Sequence, residues 1–322
     1  MRAVGRPETA FEHRVEAALA RIPEWRGRRL RYALAAAPVA SPTHRAVASD
    51  CLRIAADGEA DVFLKVRHAD MADDVTPVAA QAAERAGRLG LGPAVRIVGD
   101  GLLGLDFLPE PWRYARVGDL QDAGRLADVL GALRRLQGEG ALGHRFCPFA
   151  QVEALAREAA SVGAPLPDGA EGLIAATALI GEAVRASGID LRPCRNDGIA
   201  SNVMLGGQSD GQGGGVRLVD FDLAGDADPW FEVGALVNEV CRFEDGRRAA
   251  VEAYAGACDP RRLNRCRLYG AVDDVMWGLW GIVRAVTSRR GGIEFFKYGQ
   301  WRLLHARTTT GAWDFEAWLR GL

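Results

Sequence analysis

Three polar side chains in the second half of the chain have types and a spacing suited to phosphate chemistry. Asp197 precedes Asn202 by five residues, and Asp220 directly follows the mostly apolar run VRLV. In phosphoryl transfer one carboxylate takes or orients the proton of the attacking hydroxyl, while an amide from the same loop and a later carboxylate converge on Mg²⁺. The spacing therefore indicates phosphoryl transfer, although each residue taken singly also fits an ordinary turn or strand end.

Lysine is rare in this chain, which makes its two examples informative. Of the 40 basic residues only Lys65 and Lys297 are lysines, so arginine stands almost everywhere that positive charge alone is needed. A retained lysine is a candidate for a place where a compact ammonium is required. Lys65 lies in the predicted strand VFLKV, where a kinase-type lysine contacts the α- and β-phosphates, and Glu84 on the next predicted helix is expected to pair with it. Lys297 fits a solvated face.

Two other motif matches lack the surroundings that their chemistry needs. Residues 99–104 fit G-x-G-x-x-G, but the following residues are typical of a strand and a hinge, and a dinucleotide site needs a helix start there. Residues 207–211 fit G-x-S-x-G, but Ser209 lies inside a glycine-rich connector and not at a strand-to-helix turn. We therefore expect a hairpin turn at the first place and a connector at the second.

The elements predicted around these residues follow the order small sheet, hinge and large helical part. Alternating side chains and hairpin signals predict the strands, and apolar spacing of three to four residues predicts the helices. The predicted strands cover 46–56, 60–66, 94–98 and 102–108, and the predicted helices cover 8–21, 75–90, 119–137, 149–161 and 168–187. A β insertion at 202–220 and further helices follow. This order predicts an α+β fold with an N-terminal lobe, 1–106, and a C-terminal helical lobe, 107–322.

Length, charge and apolar content set broad limits on the function. The chain has 322 residues, 48% of them hydrophobic, and a formal net charge of −2, so it offers no basic field to nucleic acid or an anionic membrane. It has no apolar run of the roughly 18 residues that a membrane span needs, and no signal-peptide block near its start. Six scattered cysteines without a CxxC pair predict reduced thiols in a cytoplasmic protein.

From about residue 46 onward the sequence resembles the aminoglycoside-phosphotransferase and choline-kinase family of small-molecule kinases. The resemblance rests on the segments VFLKV, N-D-x-x-x-x-N, LVDFD, DPWFEVGALVNE, WGLW and KYGQWR, of which the last three are closer to the choline/ethanolamine kinase branch. It implies a protein-kinase-like two-lobe fold with a small antiparallel sheet in the first lobe, and it implies ATP and Mg²⁺ as cofactors. The residues implied are a catalytic base, Asp197, the metal-site residues Asn202, Asp220 and Asp222, and an adenine hinge at 105–109 that includes Leu105 and Phe107.

Two positions depart from the family pattern. The family usually has a histidine two residues before the catalytic aspartate, where this chain has Arg195. A glycine-rich phosphate loop is also missing before the first strands, and the residues Ser41-Pro-Thr-His44 stand in its place. The first departure bears on the geometry of the catalytic loop, and the second on how the nucleotide phosphates are held.

Aromatic side chains near the C-terminus suggest how an acceptor could be held. Trp277 and Trp280 are three residues apart on one predicted helix, and Tyr298 and Trp301 are three apart on the next. Ring faces hold an ammonium group well, and choline kinases line their choline pocket with such a tryptophan pair and a later tyrosine. Aromatic pairs at helical spacing are otherwise usually core residues. Carboxylates are expected nearby, at Glu239, Asp228, Asp273 and Asp274.

Together these features predict an ATP-dependent kinase of a small amino-alcohol, most simply choline or ethanolamine. Phosphorylation of another hydroxyl compound, such as an aminoglycoside, a sugar or homoserine, stays open. So does a catalytically weak nucleotide-binding pseudokinase, for which Arg195 is the motivating residue.

Overall fold

An antiparallel sheet forms the framework of the N-terminal lobe in the computed structural model, whose described residues are 1–41, 44–68, 70, 76–206 and 215–322. Within these residues the sheet has six strands in the order β1-β2-β5-β6-β8-β7. A small hairpin, β3–β4, is inserted between β2 and β5. The strands are β1 (Arg2–Ala3), β2 (Leu30–Ala36), β3 (Val39–Ser41), β4 (His44–Ala46), β5 (Ser49–Ala56), β6 (Val62–Arg67), β7 (Val95–Gly99) and β8 (Leu102–Asp106).

Two helices cover this sheet. The first, α1 (Ala10–Ala20), begins with a capping box, in which the Thr9 side chain accepts from the backbone of Glu12 and the Glu12 carboxylate accepts from the backbone of Thr9. The second, α2 (Thr76–Arg88), turns a face of small side chains to the lobe interior. Small side chains let the helix lie close to its neighbours. Its buried residues are Ala79, Ala80, Ala82, Ala83 and Ala86.

Helices make up most of the C-terminal lobe, with short strand pairs set between them. The helices are α3 (Val117–Leu120), α4 (Ala123–Gln137), α5 (Pro148–Ser161), α6 (Ala170–Ala186), α7 (Pro229–Val240), α8 (Glu244–Ala255), α9 (Pro260–Thr287), α10 (Phe295–Thr310) and α11 (Phe315–Arg320). The strands are β9 (Arg113–Tyr114), β10 (Arg192–Cys194), β11 (Val203–Leu205), β12 (Val216–Leu218) and β13 (Gly225–Ala227). Strand β10 pairs with β13, and β11 pairs with both β9 and β12.

The hydrophobic core does not stop at the boundary between the lobes. One cluster joins the alanine face of α2 and Leu105 of β8 to α4, the β11–β12 hairpin, α7 and α8. A second fills the space around α9, and a third lies between α1 and the opposite face of the sheet. Because the first cluster spans both lobes, the β11–β12 hairpin is packed against each of them.

Most predicted elements are confirmed, and the differences have local causes. Residues 99–104 contain the tight turn between β7 and β8, which consists of Asp100 and Gly101, with Gly101 at φ 66°. The predicted helix 119–137 is interrupted because Asp122 caps a new helix by accepting from the backbone of Arg125. The strands β1 to β4, β9, β10 and β13 were not predicted. The connector with Ser209 lies outside the described residues, as do positions 42 and 43 of the predicted phosphate loop.

Among the described residues, none of the helices combines the length and the apolar composition that crossing a bilayer requires.

Candidate active site

The loop after β10 holds the predicted catalytic aspartate, and the residue before it anchors that loop. Asn196 has a left-handed backbone with φ of 63°, a conformation that asparagine adopts more readily than most residues. Its side-chain amide donates to the carbonyl oxygens of Leu223, at 3.0 Å, and Gly225, at 3.2 Å. The loop is thereby tied to the segment that follows Asp222, and Asp197, which is 7% exposed, is placed beside that segment.

The residue after Asp197 fixes the loop from the other side. A Cβ atom on Gly198 would lie 2.4 Å from the carbonyl oxygen of Glu232 and 2.8 Å from the backbone nitrogen of Leu236, both on α7. No side chain fits this gap, so glycine is needed for the loop to approach the helix so closely.

The β11–β12 hairpin brings Asn202 and Asp220 together although 18 residues separate them in the sequence. Val203 of β11 pairs with Leu218 of β12, and the Val219 N–H donates to the Asn202 carbonyl oxygen at 3.0 Å. Asp220 then adopts a φ of 62°, which is uncommon for a residue with a side chain and is typical of functional sites. Asn202 and Asp220, two of the three side chains predicted for the metal site, therefore lie at the same end of one short β-ribbon.

Lys65 of the N-terminal lobe meets the acidic residues of the C-terminal lobe. Its Nζ lies 2.8 Å from Oδ1 of Asp220 and 2.6 Å from Oδ1 of Asp222. Arg67, two residues along the same strand, places Nη1 3.5 Å from Oδ2 of Asp222. One face of β6 thus presents two cations to two carboxylates.

Burial and charge together set the protonation of this group. Burial lowers the pKa of Lys65, but the carboxylates of Asp220 and Asp222 outweigh it, and its pKa is raised above the ordinary value. Burial raises the pKa of Asp222, and the Lys65 ammonium opposes that rise. Lys65 is therefore positively charged throughout the neutral pH range, which is the state that binding of phosphate oxygens requires.

The predicted ion pair between Lys65 and Glu84 is wrong. Glu84 lies on the exposed face of α2, and the described ion pairs of Lys65 are with Asp220 and Asp222. The side of α2 that faces the sheet carries alanines, and Ala79 lines the same small recess as Lys65 and Asp222. The counter-charge for the lysine therefore comes from the carboxylates of the other lobe.

A cleft of about 290 Å³ opens between the lobes beside these residues. The two predicted hinge residues, Leu105 and Phe107, line it, and Arg53 holds the Phe107 ring with its guanidinium carbon 4.5 Å from the ring centroid. Apolar side chains line both the upper and the lower wall, and polar side chains lie at the inner end. The upper wall, which the N-terminal lobe forms, includes Phe63, Val47 and Ala36. The lower wall, which the C-terminal lobe forms, includes Met204 and Val219. We call the part lined by Lys65, Asn202 and Asp220 the inner end.

Three of the four predicted acceptor aromatics lie together, and one does not join them. Trp280 contacts Trp277 edge to face at 5.3 Å and Tyr298 at 6.3 Å between ring centroids. Phe295, which was not predicted, adds a third edge-to-face contact to Trp280 at 5.5 Å. Trp301 packs instead on His305, with ring centroids 4.7 Å apart.

Of the nearby carboxylates, Glu239 lies closest to the catalytic loop. Its Oε2 accepts a hydrogen bond from the backbone N–H of Ala200, at the start of the short 3₁₀ helix that carries Asn202. The other predicted carboxylates pair with arginines. Asp228 caps α7 and binds Arg265, while Asp273 and Asp274 both bind the buried Arg302. These three carboxylates therefore have arginine partners within the fold, and a role toward an acceptor stays a prediction.

Arg195, at the position where the family usually has histidine, is fully buried. Its Nε lies 3.1 Å from Oε1 of Glu232, and its Nη1 donates to the carbonyl oxygens of Asn202 and Val219. The sequence showed the departure from the family but gave no indication of these partners, because Glu232 follows 37 residues later.

Comparison with solved structures identifies the fold. The choline/ethanolamine kinase family protein from Mesorhizobium loti matches with a TM-score of 0.75 at 21% identity, covering 96% of this chain and 98% of that chain. Choline kinase LicA from Streptococcus pneumoniae matches with a TM-score of 0.73 at 14% identity, covering 93% and 99%. The microcompartment-associated aminopropanol kinase matches with a TM-score of 0.61 at 13% identity, covering 94% and 95%.

A scan against protein-family models and a search among curated proteins each found no match. The likeness is thus one of three-dimensional structure at low sequence identity. The chain has the two-lobe α+β fold of the choline/ethanolamine kinase structures.

Proposed function

We propose that this protein is an ATP-dependent phosphotransferase whose acceptor is the hydroxyl of a small amino-alcohol, with choline and ethanolamine as the first candidates. The observation that carries the proposal is the contact of Lys65 with Asp220 and Asp222 at the inner end of a cleft that Asn202 also lines. A nucleoside triphosphate bound with Mg²⁺ needs a cation for its phosphates and oxygen ligands for its metal, and here the two lobes supply one each. The fold shared with choline, ethanolamine and aminopropanol kinase structures supports the same activity.

The cleft walls suit a nucleotide. The adenine ring would lie between the apolar upper wall, with Phe63 and Leu105, and the lower wall, with Met204. The phosphates would then extend toward Lys65, whose ammonium offers three donors for their oxygens. LicA, a protein of the same fold, has been solved in complex with AMP, which supports a nucleotide as the ligand of this cleft.

The donor set at the inner end fits Mg²⁺. Asp220, Asp222 and Asn202 provide carboxylate and amide oxygens, and Mg²⁺ is commonly bound by one or two carboxylates together with substrate phosphates. The Asn202 amide nitrogen is buried and has no hydrogen-bond partner among the described residues, so this amide is not needed to hold the fold. When bound, Mg²⁺ neutralises the charge on those phosphates.

Asp197 is proposed to act on the acceptor. Its carboxylate would accept the hydroxyl proton while the acceptor oxygen forms a bond to the γ-phosphorus. The bond from that phosphorus to the β–γ bridging oxygen breaks, ADP carries away the electron pair, and the proton passes from Asp197 to water. Positioning and charge neutralisation account for most of the acceleration in such a reaction.

The aromatic group supports an ammonium-bearing acceptor. Trp277, Trp280 and Tyr298 lie on α9 and α10, and Glu239 at the catalytic loop adds a negative charge. A quaternary or primary ammonium is attracted to ring faces and to a carboxylate, so an amino-alcohol fits better than a neutral sugar. The use of ATP and the six free cysteines are consistent with a cytoplasmic location.

Acceptor-dependent turnover tests the proposal. The purified protein would be incubated with MgATP and choline, ethanolamine, 1-amino-2-propanol, homoserine, kanamycin or glucose, with ADP release measured and the product identified by ³¹P NMR. We expect turnover with an amino-alcohol, abolished by Asp197→Ala and kept by Asp245→Ala, an exposed control on α8.

Each other result has a definite meaning. Turnover with kanamycin, homoserine or glucose alone would retain the kinase and reject the amino-alcohol. Binding of MgADP without turnover on any acceptor would reject the enzyme and favour a nucleotide-binding regulator.

A further inference from the structure

We propose that Arg195 is a positioning residue that sets the geometry of Asn202 and Asp220, two of the three proposed metal-site side chains, with Glu232 holding its guanidinium in place. This inference rests on the proposed function, because it concerns the Mg²⁺-binding side of that site. Arg195 and Glu232 are both 0% exposed, and Nε of the arginine lies 3.1 Å from Oε1 of the glutamate. A fully buried ion pair in this position needs a reason, since burying two charges is costly.

The partners of the other end of the guanidinium supply that reason. Nη1 of Arg195 donates to the carbonyl oxygen of Asn202 and, at 3.1 Å, to that of Val219. Asn202 is itself a proposed metal ligand, and Val219 directly precedes a second one, Asp220. One nitrogen therefore joins the two peptide groups from which both ligand side chains extend.

The backbone at this place needs such support. Asp220 has a φ of 62°, an uncommon conformation that persists only where the surroundings hold it. The Val219 N–H bonds to the Asn202 carbonyl at 3.0 Å, and Arg195 adds a second link between the same two residues. The separation of the Asn202 amide and the Asp220 carboxylate is therefore set by a bond in the ribbon and by the guanidinium behind it.

Glu232 is fixed in turn by two other helices. Its Oε2 accepts from Nε2 of Gln137 at 3.1 Å, and the Gln137 Oε1 accepts from the Tyr254 hydroxyl at 2.6 Å. The same Oε2 receives the backbone N–H of Arg195 at 3.3 Å. The chain of contacts from α8 through α4 and α7 leaves the arginine one orientation.

Arginine suits this place because of the direction of its Nε and Nη1 donors, while its buried Nη2 has no hydrogen-bond partner among the described residues. A guanidinium has five N–H donors in a rigid plane, whereas a histidine ring has two and a lysine ammonium has no fixed plane. Only the arginine can reach the Glu232 carboxylate with one edge and two carbonyl oxygens with another. Where the family usually has histidine, this chain therefore supports the loop between Arg195 and Asn202 through the guanidinium of Arg195.

The test separates positioning from simple charge balance. Arg195→Met would leave the Glu232 charge buried without a partner, so this variant is compared with the double variant Arg195→Met/Glu232→Met, which removes both charges. Arg267→Met, a largely buried arginine on α9 paired with Glu244, serves as the matched control. For each protein we would measure the melting temperature, Mn²⁺ binding to the protein–ADP complex by electron paramagnetic resonance, and kcat and KM for MgATP and acceptor.

We expect the double variant to recover most of the melting temperature but not the metal site. Its Mn²⁺ affinity in the ADP complex should stay about 10- to 100-fold weaker and kcat should fall by a similar factor, the range seen when residues behind metal ligands are removed. Affinity for metal-free ADP and KM for the acceptor should change less than about threefold, since the cleft walls are untouched. The Arg267→Met control should bind Mn²⁺ like the wild type.

A double variant that is stable and binds Mn²⁺ like the wild type would overturn the inference. If the double variant does not fold, Arg195→Lys decides, because it keeps the charge beside Glu232 and loses the planar donors. Weakened Mn²⁺ binding in a folded Arg195→Lys protein supports positioning, and wild-type binding refutes it. A wild-type protein that binds Mn²⁺ with ADP but phosphorylates no acceptor would refute the proposed function alone.

Discussion

Two adjacent aspartates on α9 share one arginine in the interior of the C-terminal lobe. Nε of Arg302 lies 2.9 Å from Oδ1 of Asp274, and its Nη2 bonds to Asp273. Asn238 donates to Oδ2 of Asp274 at 2.7 Å, and Nδ1 of His305 is 3.9 Å from the same oxygen. Burial, opposed by Arg302 and assisted by Asp273, raises the pKa of Asp274 to about 7 from its ordinary value of 3.8.

The raised pKa makes part of the stability depend on pH. Between pH 3.8 and about 7 the folded chain keeps the Asp274 proton that the unfolded chain loses, so this residue's contribution to stability falls as pH rises through that window. We expect Asp274→Asn, which cannot ionise, to be more favourable relative to the wild type at pH 8 than at pH 5. Chemical denaturation at both pH values measures this difference.

The exposed Asp245→Asn should show no such change between the two pH values. An advantage for Asp274→Asn that is equal at pH 5 and pH 8, or larger at pH 5, would contradict the assigned titration.

At the residue scale, sequence reasoning succeeded where the residue type itself was unusual. The rarity of lysine pointed to Lys65, and the structure brings it to Asp220 and Asp222. Glu84 was predicted on the wrong face of α2. The inward face of this helix consists of alanines, and their low hydrophobicity gives little indication of which face is buried. The roles of Asp197 and Asn202 stay predictions.

At the scale of elements, the longest strand that sequence reasoning missed is β2 (Leu30–Ala36) in the sheet. Its sequence, LRYALAA, is rich in alanine and leucine, residues with high helix propensity, and it lacks β-branched side chains. Its conformation comes from pairing with β5, including Tyr32 opposite Ile54. Such a pairing depends on a partner more than fifteen residues away, so local pattern does not indicate it.

The contact between the catalytic loop and α7 can be tested by one methyl group. Gly198→Ala would place Cβ 2.4 Å from the Glu232 carbonyl oxygen, so the loop must move away from the helix. We expect the free energy of unfolding to fall by about 1–3 kcal/mol, a usual range for overpacking, and turnover to fall at least tenfold. Denaturant unfolding and the kinase assay measure the two effects.

Gly172→Ala is the matched control, since it lies exposed on α6 with nothing within 4 Å of the added Cβ. It should raise the free energy of unfolding by about 0.5–1 kcal/mol through helix propensity. A Gly198→Ala protein as stable and active as the wild type would show that the loop does not need this close approach.

At the scale of the whole molecule, the segment after α9 holds the two lobes together. Nε of Arg290 lies 3.2 Å from Oδ2 of Asp70, and its Nη1 donates to the carbonyl oxygen of Val47, which lines the cleft. Ser288 donates to the same Asp70 oxygen at 3.0 Å. We call these contacts of Arg290 and Ser288 with Asp70 and Val47 the interlobe clasp. Sequence patterns could not predict it, because its partners are more than 200 residues apart. The segment that follows the Trp277 helix is thereby linked to the upper wall of the proposed nucleotide cleft.

Breaking the clasp should weaken nucleotide binding. We expect Arg290→Met to raise KM for MgATP about two- to tenfold, since a partly buried charged contact contributes on the order of 1 kcal/mol, and to speed amide hydrogen exchange around Val47. Steady-state kinetics and exchange mass spectrometry measure these changes. The neighbouring exposed Arg289→Met should leave both unchanged. Equal behaviour of the two variants would show that the clasp does not act on the cleft.

The ion pairs of Lys65 also bear on how the molecule folds. Asp220 and Asp222 are two positions apart in the sequence and only partly exposed, so their carboxylates repel each other. The compensating charge arrives from the opposite lobe on the same polypeptide, with Nζ at 2.8 and 2.6 Å from the two oxygens. Docking of the lobes thus neutralises the acidic pair. The cation that does so is Lys65 of the same chain and not an ion from solution.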